Sequence, residues 1–196
     1  MRVLVVGATG TIGSAIVEAL TPKHEVIGVS HRQGAVRVDL ADPTSIAQMY
    51  RAVGRVDAVI SAAGEARFAP LAQLTDEDFA LSLRSKLMGQ VNLVRLGLTS
   101  VADGGSFTLT AGSLARHPSP GSGAISIVNA GVEAFAGAAA LELPRRLRIN
   151  TVSPPWVTET LRALGMDPSG GLPAAKVARA YVASVEGTLT GQVLEP

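Results

Sequence analysis

Near its start the chain reads RVLVVGATGTIG, from Arg2 to Gly13. The apolar run at 3–6 is typical of a strand that is buried on both faces, as in parallel sheets. Residues 15–20 are mostly apolar and predict a helix directly after the glycines. In this order, the helix N-terminus presents unpaired N–H donors and a positive dipole end to a pyrophosphate. The stretch therefore predicts dinucleotide binding, although glycine-rich turns between strand and helix also occur without a ligand.

Each glycine of this turn has a predicted task. The first, Gly7, allows a tight turn with positive φ. The second, Gly10, lets backbone N–H groups approach the pyrophosphate, and the third, Gly13, lets the helix pack close to the strand. Their spacing is G-x-x-G-x-x-G rather than the commoner G-x-G-x-x-G. The residues expected to hold the cofactor here are Gly7, Thr9, Gly10, Thr11, Ile12 and Gly13.

Length and composition indicate one globular domain over residues 1–196, with 47% hydrophobic and only 17% charged residues. The formal net charge of +1 gives no reason to expect a nucleic acid or an acidic membrane as partner. The chain has no cysteine, which excludes disulfides and thiolate metal sites. The first strand leaves no room for a signal peptide, and no apolar stretch reaches the length of a membrane span. We therefore expect a cytoplasmic protein.

Strand and helix patterns alternate along the whole chain. Strands are predicted at 2–6, 25–30, 36–38, 56–60, 106–110, 147–152 and 191–194, and helices at 42–53, 75–98, 124–142, 158–164 and 174–185. This alternation predicts an α/β fold, a doubly wound parallel sheet (Rossmann fold) of about seven strands with helices on both faces. In the long helix at 75–98 an apolar stripe is expected from Phe79, Leu83, Leu87, Val91, Val94 and Leu98.

The end of the second strand decides which cofactor is expected. Ligands of such sheets bind outside the carboxyl ends of the strands, where an acid would bind the adenosine ribose and an arginine accepts a 2′-phosphate. Ser30, His31 and Arg32 follow this strand, and no acid is present. The sequence therefore favours NADP over NAD, through Arg32 and His31. The alternative is that Arg32 is an ordinary solvated loop residue.

Several motifs in fixed order resemble the short-chain dehydrogenase/reductase family over nearly the whole chain. Besides the glycine-rich turn, these are VDL at 38–40, SAAG at 61–64, NAGVEAF at 129–135 and RINTVSPP at 148–155. The resemblance implies that Asp39 contacts the adenine ring and that the later motifs meet the nicotinamide half. The cofactor contacts that it implies are Asp39, Leu40, Ala62, Ala63, Gly64, Pro154, Pro155 and Val157.

The active site of that family is where the resemblance ends. The family carries a Tyr-x-x-x-Lys pair on a long helix, a Ser after the fifth strand and often an Asn on the preceding long helix. Here Ile125 stands at the Tyr position and Asn129 at the Lys position, while Lys86 stands at the Asn position. Ser113 is at best displaced from the Ser position. The chain is similar to a subset of short family members that lack the usual active-site residues.

Three side chains are candidates for the missing proton donor, namely Lys86, Ser113 and His117. A partly desolvated lysine and a histidine can both titrate near neutrality. We hypothesise that Lys86 and Asn129 have exchanged helices, so that Lys86 binds the nicotinamide ribose and donates the proton while Asn129 supplies an amide. Each candidate also has an ordinary alternative, since Lys86 and His117 could be solvated and Ser113 could cap a turn.

Three functions remain open at the level of the sequence. The first is an NADP-dependent oxidoreductase of a small carbonyl-type substrate. The second is an NADP(H)-binding sensor or regulatory protein without turnover, and the third is a structural partner that has lost the cofactor as well. The helix at 124–142 is apolar on more than one face, and the family pairs its two long helices across a two-fold axis. A homodimer or homotetramer is therefore expected.

Overall fold

The computed structural model describes residues 1–196 and confirms the predicted parallel sheet, with six strands in the order β2-β1-β3-β4-β5-β6. The strands are β1 (Arg2–Val6), β2 (Glu25–Val29), β3 (Val56–Ser61), β4 (Val101–Thr110), β5 (Arg148–Val152) and β6 (Val193–Leu194). The strand predicted at 36–38 is reduced to a single parallel bridge between Ser30 and Arg37. It lies at the sheet edge after the exposed loop 31–35, where no further residue pairs with β2.

Helices cover both faces of the sheet, as the alternating pattern predicts. They are α1 (Thr11–Leu20), α2 (Pro43–Val53), α3 (Asp76–Ser82), α4 (Gly89–Gly97), α5 (Gly123–Ala139), α6 (Thr158–Ala163) and α7 (Ala174–Glu186). Because side chains of a strand alternate between faces, Val3 and Val5 join a core with α1 and α7, whereas Leu4 and Val6 join the core with α2, α4 and α5. All four are at most 1% exposed, as expected for a strand buried on both sides.

A π-helical segment, Leu83–Met88, joins α3 to α4 and changes which face of this long helix is buried. The capping box of Thr75 and Asp78 starts the helix where the sequence predicts. The predicted apolar stripe faces the core only in part: Val94 is buried and Leu87 and Leu98 pack against the core, whereas Leu83 is 39% exposed and Val91 is half-buried. The stripe assumed uniform α-helical spacing, and the wider π turn shifts the phase. Besides Val94, the residues buried along this stretch are Ser82, Ser85, Gly89, Gln90, Asn92, Leu93 and Gly97.

Helix α5 buries one face and leaves the opposite one open. Ile127, Ala130, Ala134 and Ala138 are exposed at helical spacing. Met88, at the end of the π segment, is also 41% exposed. None of the helices has the length and apolar character that crossing a membrane requires.

Candidate functional site

The glycine-rich turn has the tight geometry that the sequence predicts. Gly7 has φ of +87°, and a Cβ there would lie 2.6 Å from the carbonyl oxygen of Ala62. The amides of Gly7 and Ala8 both donate to the carbonyl of Val29, which fixes the turn at the end of β2. Gly13 serves the turn rather than the strand, since a Cβ there would overlap the carbonyl oxygen of Gly7. Only glycine fits at positions 7 and 13 without movement of the backbone.

Unpaired donors lie at the N-terminus of α1. The amides of Thr11, Ile12 and Gly13 have no hydrogen-bond partner within the protein. Gly10, the N-cap residue, supplies no side chain to satisfy them, and the first turn contains no acidic residue. Free N–H groups and the positive end of the helix dipole together form an anion site. This arrangement fits the pyrophosphate of a dinucleotide.

A cavity of about 550 Å³ lies beside this turn at the carboxyl ends of β1 and β2. It brings together six of the residues predicted to bind the cofactor, which are Gly7, His31, Asp39, Leu40, Ala63 and Gly64. Oδ1 of Asp39 accepts from the amide of Ala41 at 2.8 Å, so the other carboxylate oxygen is free for a ligand. Arg32 is exposed and does not line the cavity, although its neighbour His31 does. Arg84 lines it and was missed by the sequence analysis.

A second cavity, of about 260 Å³, lies further along the same edge of the sheet. It brings together Lys86, Ser113 and Asn129 with the predicted cofactor residues Ile12, Gly64, Pro154, Pro155 and Val157. Gly64 lines both cavities and joins them. His117 is exposed and outside the lining of this cavity.

Lys86 comes from the π segment and is held there by backbone contacts. A Cβ on Gly64 would lie 2.9 Å from the Cα of Lys86, so the two backbones pack directly. The fully buried Gln90 donates to the carbonyl of Lys86 at 3.1 Å and binds both the amide and the carbonyl of Thr110 at 2.8 Å. Burial lowers the pKa of the Lys86 ammonium from 10.5 to about 8. Gln90 thus ties the backbone of Lys86 to Thr110 at the end of β4. The pKa of Lys86 lies closer to neutrality than that of a solvated lysine.

Asn129, from α5, lines the same cavity as Lys86. It is 2% exposed, and its Nδ2 donates a long hydrogen bond of 3.4 Å to the carbonyl of Gly112. Its Oδ1 is buried without a partner. Because buried polar atoms are nearly always paired, this oxygen is free to accept from a bound group such as a hydroxyl. Ile125, one turn earlier on α5, lines the same cavity with an apolar side chain.

An aromatic pair at this cavity was missed by the sequence analysis. Trp156, which lines the cavity after β5, packs edge-on against Phe68 from the loop after β3, with ring centroids 5.8 Å apart. Phe68 is 45% exposed. The pair joins two loops that are far apart in sequence, so no local pattern in either loop predicts it.

Comparison with known proteins assigns the family. Residues 8–185 match the family model described as enoyl-(acyl carrier protein) reductase, a branch of the short-chain dehydrogenases. The chain belongs to the short-chain dehydrogenase/reductase family. Within this family it is 24% identical to an uncharacterised oxidoreductase of Methylorubrum extorquens, over 87% of this chain and 80% of that one. The resemblance that the sequence motifs indicate is thus confirmed.

Solved structures of this family superpose closely on the chain. The protein lin1944 from Listeria innocua has a TM-score of 0.96 and 47% identity, covering 100% of this chain and 98% of that one. A small-chain dehydrogenase in complex with NADPH has a TM-score of 0.88 and 24% identity, covering 100% of this chain and 96% of that one. Because the identity to the NADPH complex is only 24%, this similarity shows a shared fold and nothing further.

Proposed function

We propose that this member of the short-chain dehydrogenase/reductase family is an NADP(H)-dependent oxidoreductase that reduces a small carbonyl compound, with Lys86 as its proton donor. The observation that carries the proposal is the position of Lys86 in a cavity joined, through Gly64, to the cavity beside the glycine-rich turn. The NADPH complex of a structural neighbour supports the choice of cofactor.

The residues of the chain have distinct tasks in this proposal. The free amides of Thr11, Ile12 and Gly13 bind the pyrophosphate, and the free Oδ1 of Asn129 accepts from a ribose hydroxyl. When bound, the reduced nicotinamide supplies the hydride that adds to the carbonyl carbon. Lys86 donates a proton from Nζ to the carbonyl oxygen and regains one from water. A lysine with a pKa of about 8 is protonated at neutral pH and still acidic enough to donate.

A protein that binds NADP(H) without turnover is the second candidate. Ile125 in the cavity wall favours it, because this side chain has no group that could give or take a proton. One experiment distinguishes the oxidoreductase from the NADP(H)-binding sensor. We expect NADPH to quench the fluorescence of Trp156, the chain's one tryptophan, and carbonyl compounds to oxidise the bound NADPH. Binding of NADPH without its oxidation by any carbonyl compound would favour the sensor.

Arg32 is predicted to set the preference for NADPH over NADH. A charge-assisted contact with a 2′-phosphate is worth about 1.5–3 kcal/mol, and we expect the lower value because Arg32 is exposed. Arg32→Ala should weaken NADPH binding about tenfold and leave NADH binding unchanged. Arg51→Ala, which removes another exposed arginine at the end of α2, is the control. Equal dissociation constants for NADPH and NADH in the wild type would refute the preference.

Assembly into a homodimer or homotetramer is also proposed. The open face of α5 at Ile127, Ala130, Ala134 and Ala138 supports it, together with the exposed Met88 at the end of the π segment. Light scattering at micromolar protein should give two or four times the chain mass of 20.1 kDa. Ile127→Glu should shift the protein toward the monomer, and a wild-type monomer would contradict the proposal.

A further inference from the structure

The smaller cavity contains one charge and no counter-charge. Lys86 is the only charged residue of its lining, and none of the ion pairs in the structure includes it. The rest of the wall is apolar or neutral, with Leu114, Ile125 and Trp156 as large apolar side chains. An ammonium in such surroundings is unfavourable, because the water that it loses is replaced by no opposite charge.

We propose that the substrate carries its own negative charge, as a 2-oxo acid with an apolar substituent, and that Lys86 recognises its carboxylate. This inference rests on the proposed function and names the substrate class of the same site. A carbonyl compound without charge would leave the ammonium unpaired after it displaced water from the cavity. An anion offsets the charge and makes a charge-assisted hydrogen bond with the ammonium.

One lysine can serve both ends of a 2-oxo acid. The ammonium has three donors, and in a 2-oxo acid the carbonyl oxygen and one carboxylate oxygen lie side by side when they are syn. Both oxygens are then within reach of the same Nζ, so that binding the carboxylate also aims the proton at the carbonyl oxygen. Ser113, in the same lining, offers a hydroxyl donor for the second carboxylate oxygen. The apolar substituent packs against Leu114, Ile125 and Trp156.

Three probes of the same shape test the charge of the ligand. They are benzoate, benzamide and benzamidinium, titrated against the free protein and against its complex with NADP+, with Trp156 fluorescence and calorimetry as readouts. Benzoate should bind at least tenfold more tightly than benzamide, and benzamidinium should bind most weakly. Lys86→Met should abolish the difference between benzoate and benzamide, whereas Lys176→Met, which removes an exposed lysine of α7, should preserve it.

The outcomes distinguish a failure of the 2-oxo acid inference from a failure of the proposed oxidoreductase function. If NADPH binds and benzoate binds no better than benzamide, the substrate class is wrong and the cofactor assignment stands. If benzoate is preferred through Lys86 but NADPH does not bind, the anion site stands and the oxidoreductase does not. A preference for benzoate that survives Lys86→Met would also overturn the inference, because the anion would then bind elsewhere.

Discussion

Replacing Lys86 by methionine should lower carbonyl reduction about 10²–10⁴-fold, the usual contribution of a general acid. Methionine keeps the length and much of the volume of the side chain but has no proton to give. The steady-state rate of NADPH oxidation measures the loss, with Lys176→Met as the control for removal of a lysine charge. A Lys86→Met variant that retained the wild-type rate would exclude Lys86 from the chemistry.

The same substitution should make the ligand-free protein more stable. The fall of the Lys86 pKa from 10.5 to about 8 on folding means that the native state disfavours the ammonium. That difference corresponds to about 3 kcal/mol at neutral pH, where both states are protonated. Urea unfolding at pH 7 should therefore give a larger free energy of unfolding for Lys86→Met than for the wild type. A loss of stability in the variant would show that the lysine stem contributes more by packing than its charge costs.

The pH dependence has a definite sign. Between pH 8 and 10.5 the unfolded chain binds the Lys86 proton and the native state does not, so the wild type gains stability relative to Lys86→Met as the pH rises. Over the same range carbonyl reduction falls, because the ammonium that donates the proton is lost above pH 8. The other charged groups around Gly64 are Glu65 and Arg84, which line the larger cavity. Below pH 7 the difference in the free energy of unfolding between the wild type and Lys86→Met should not change with pH, because Lys86 is then protonated in both the native and the unfolded state.

The second large effect is expected at Gly10 and Gly13 of the glycine-rich turn, which differ in the space available for a Cβ atom. A Cβ at Gly10 would meet only the carbonyl oxygen of Gly7, at 3.4 Å, and Gly10 has an ordinary φ of −80°. Gly10→Ala should therefore fold normally and bind NADPH more than tenfold more weakly, because the methyl group lies where the pyrophosphate approaches. At Gly13 a Cβ would overlap backbone atoms of Gly7, so Gly13→Ala should lose several kcal/mol of stability.

Thermal unfolding and NADPH titration distinguish the two glycine variants. The unfolding temperature should fall by many degrees for Gly13→Ala and stay within a few degrees of the wild type for Gly10→Ala. If Gly10→Ala binds NADPH like the wild type, the pyrophosphate does not lie over this turn. If Gly13→Ala is as stable as the wild type, the helix moves away from the turn at little cost.

The sequence predicts those parts of the fold that depend on local chemistry. The buried run of β1, the positive φ of Gly7 and the helix start at Thr75 each follow from a few neighbouring residues, and the structure has all three. The phase of the long helix at 76–97 was not predictable, because the π segment at 83–88 has no sequence signature of its own. For this reason Leu83, which the predicted stripe includes, is exposed, while Val94 of the same stripe is buried.

The candidate site was predictable to a different extent. Lys86 and Asn129 were paired by their positions in the family motifs, and the structure places both in the lining of one cavity. That Lys86 has no ion-pair partner could not be predicted, because it depends on where every acidic side chain lies in the folded chain. The contact between Phe68 and Trp156 joins residues 88 positions apart by their numbers, beyond the reach of any local pattern. Such contacts follow only from the tertiary structure.

Gly64 is the one residue that the linings of the two cavities share. It has φ of +126°, and its backbone packs against Lys86, so the peptide there has little freedom to move without disturbing its neighbours. Ligands in the two cavities would therefore contact the same constrained residue of the chain. Suppose that a bound dinucleotide changes the affinity for the carbonyl ligand by some factor. Thermodynamic linkage then requires that the carbonyl ligand change the affinity for the dinucleotide by the same factor. The two proposed binding equilibria would then belong to one thermodynamic cycle, with Gly64 as the residue that both cavities share.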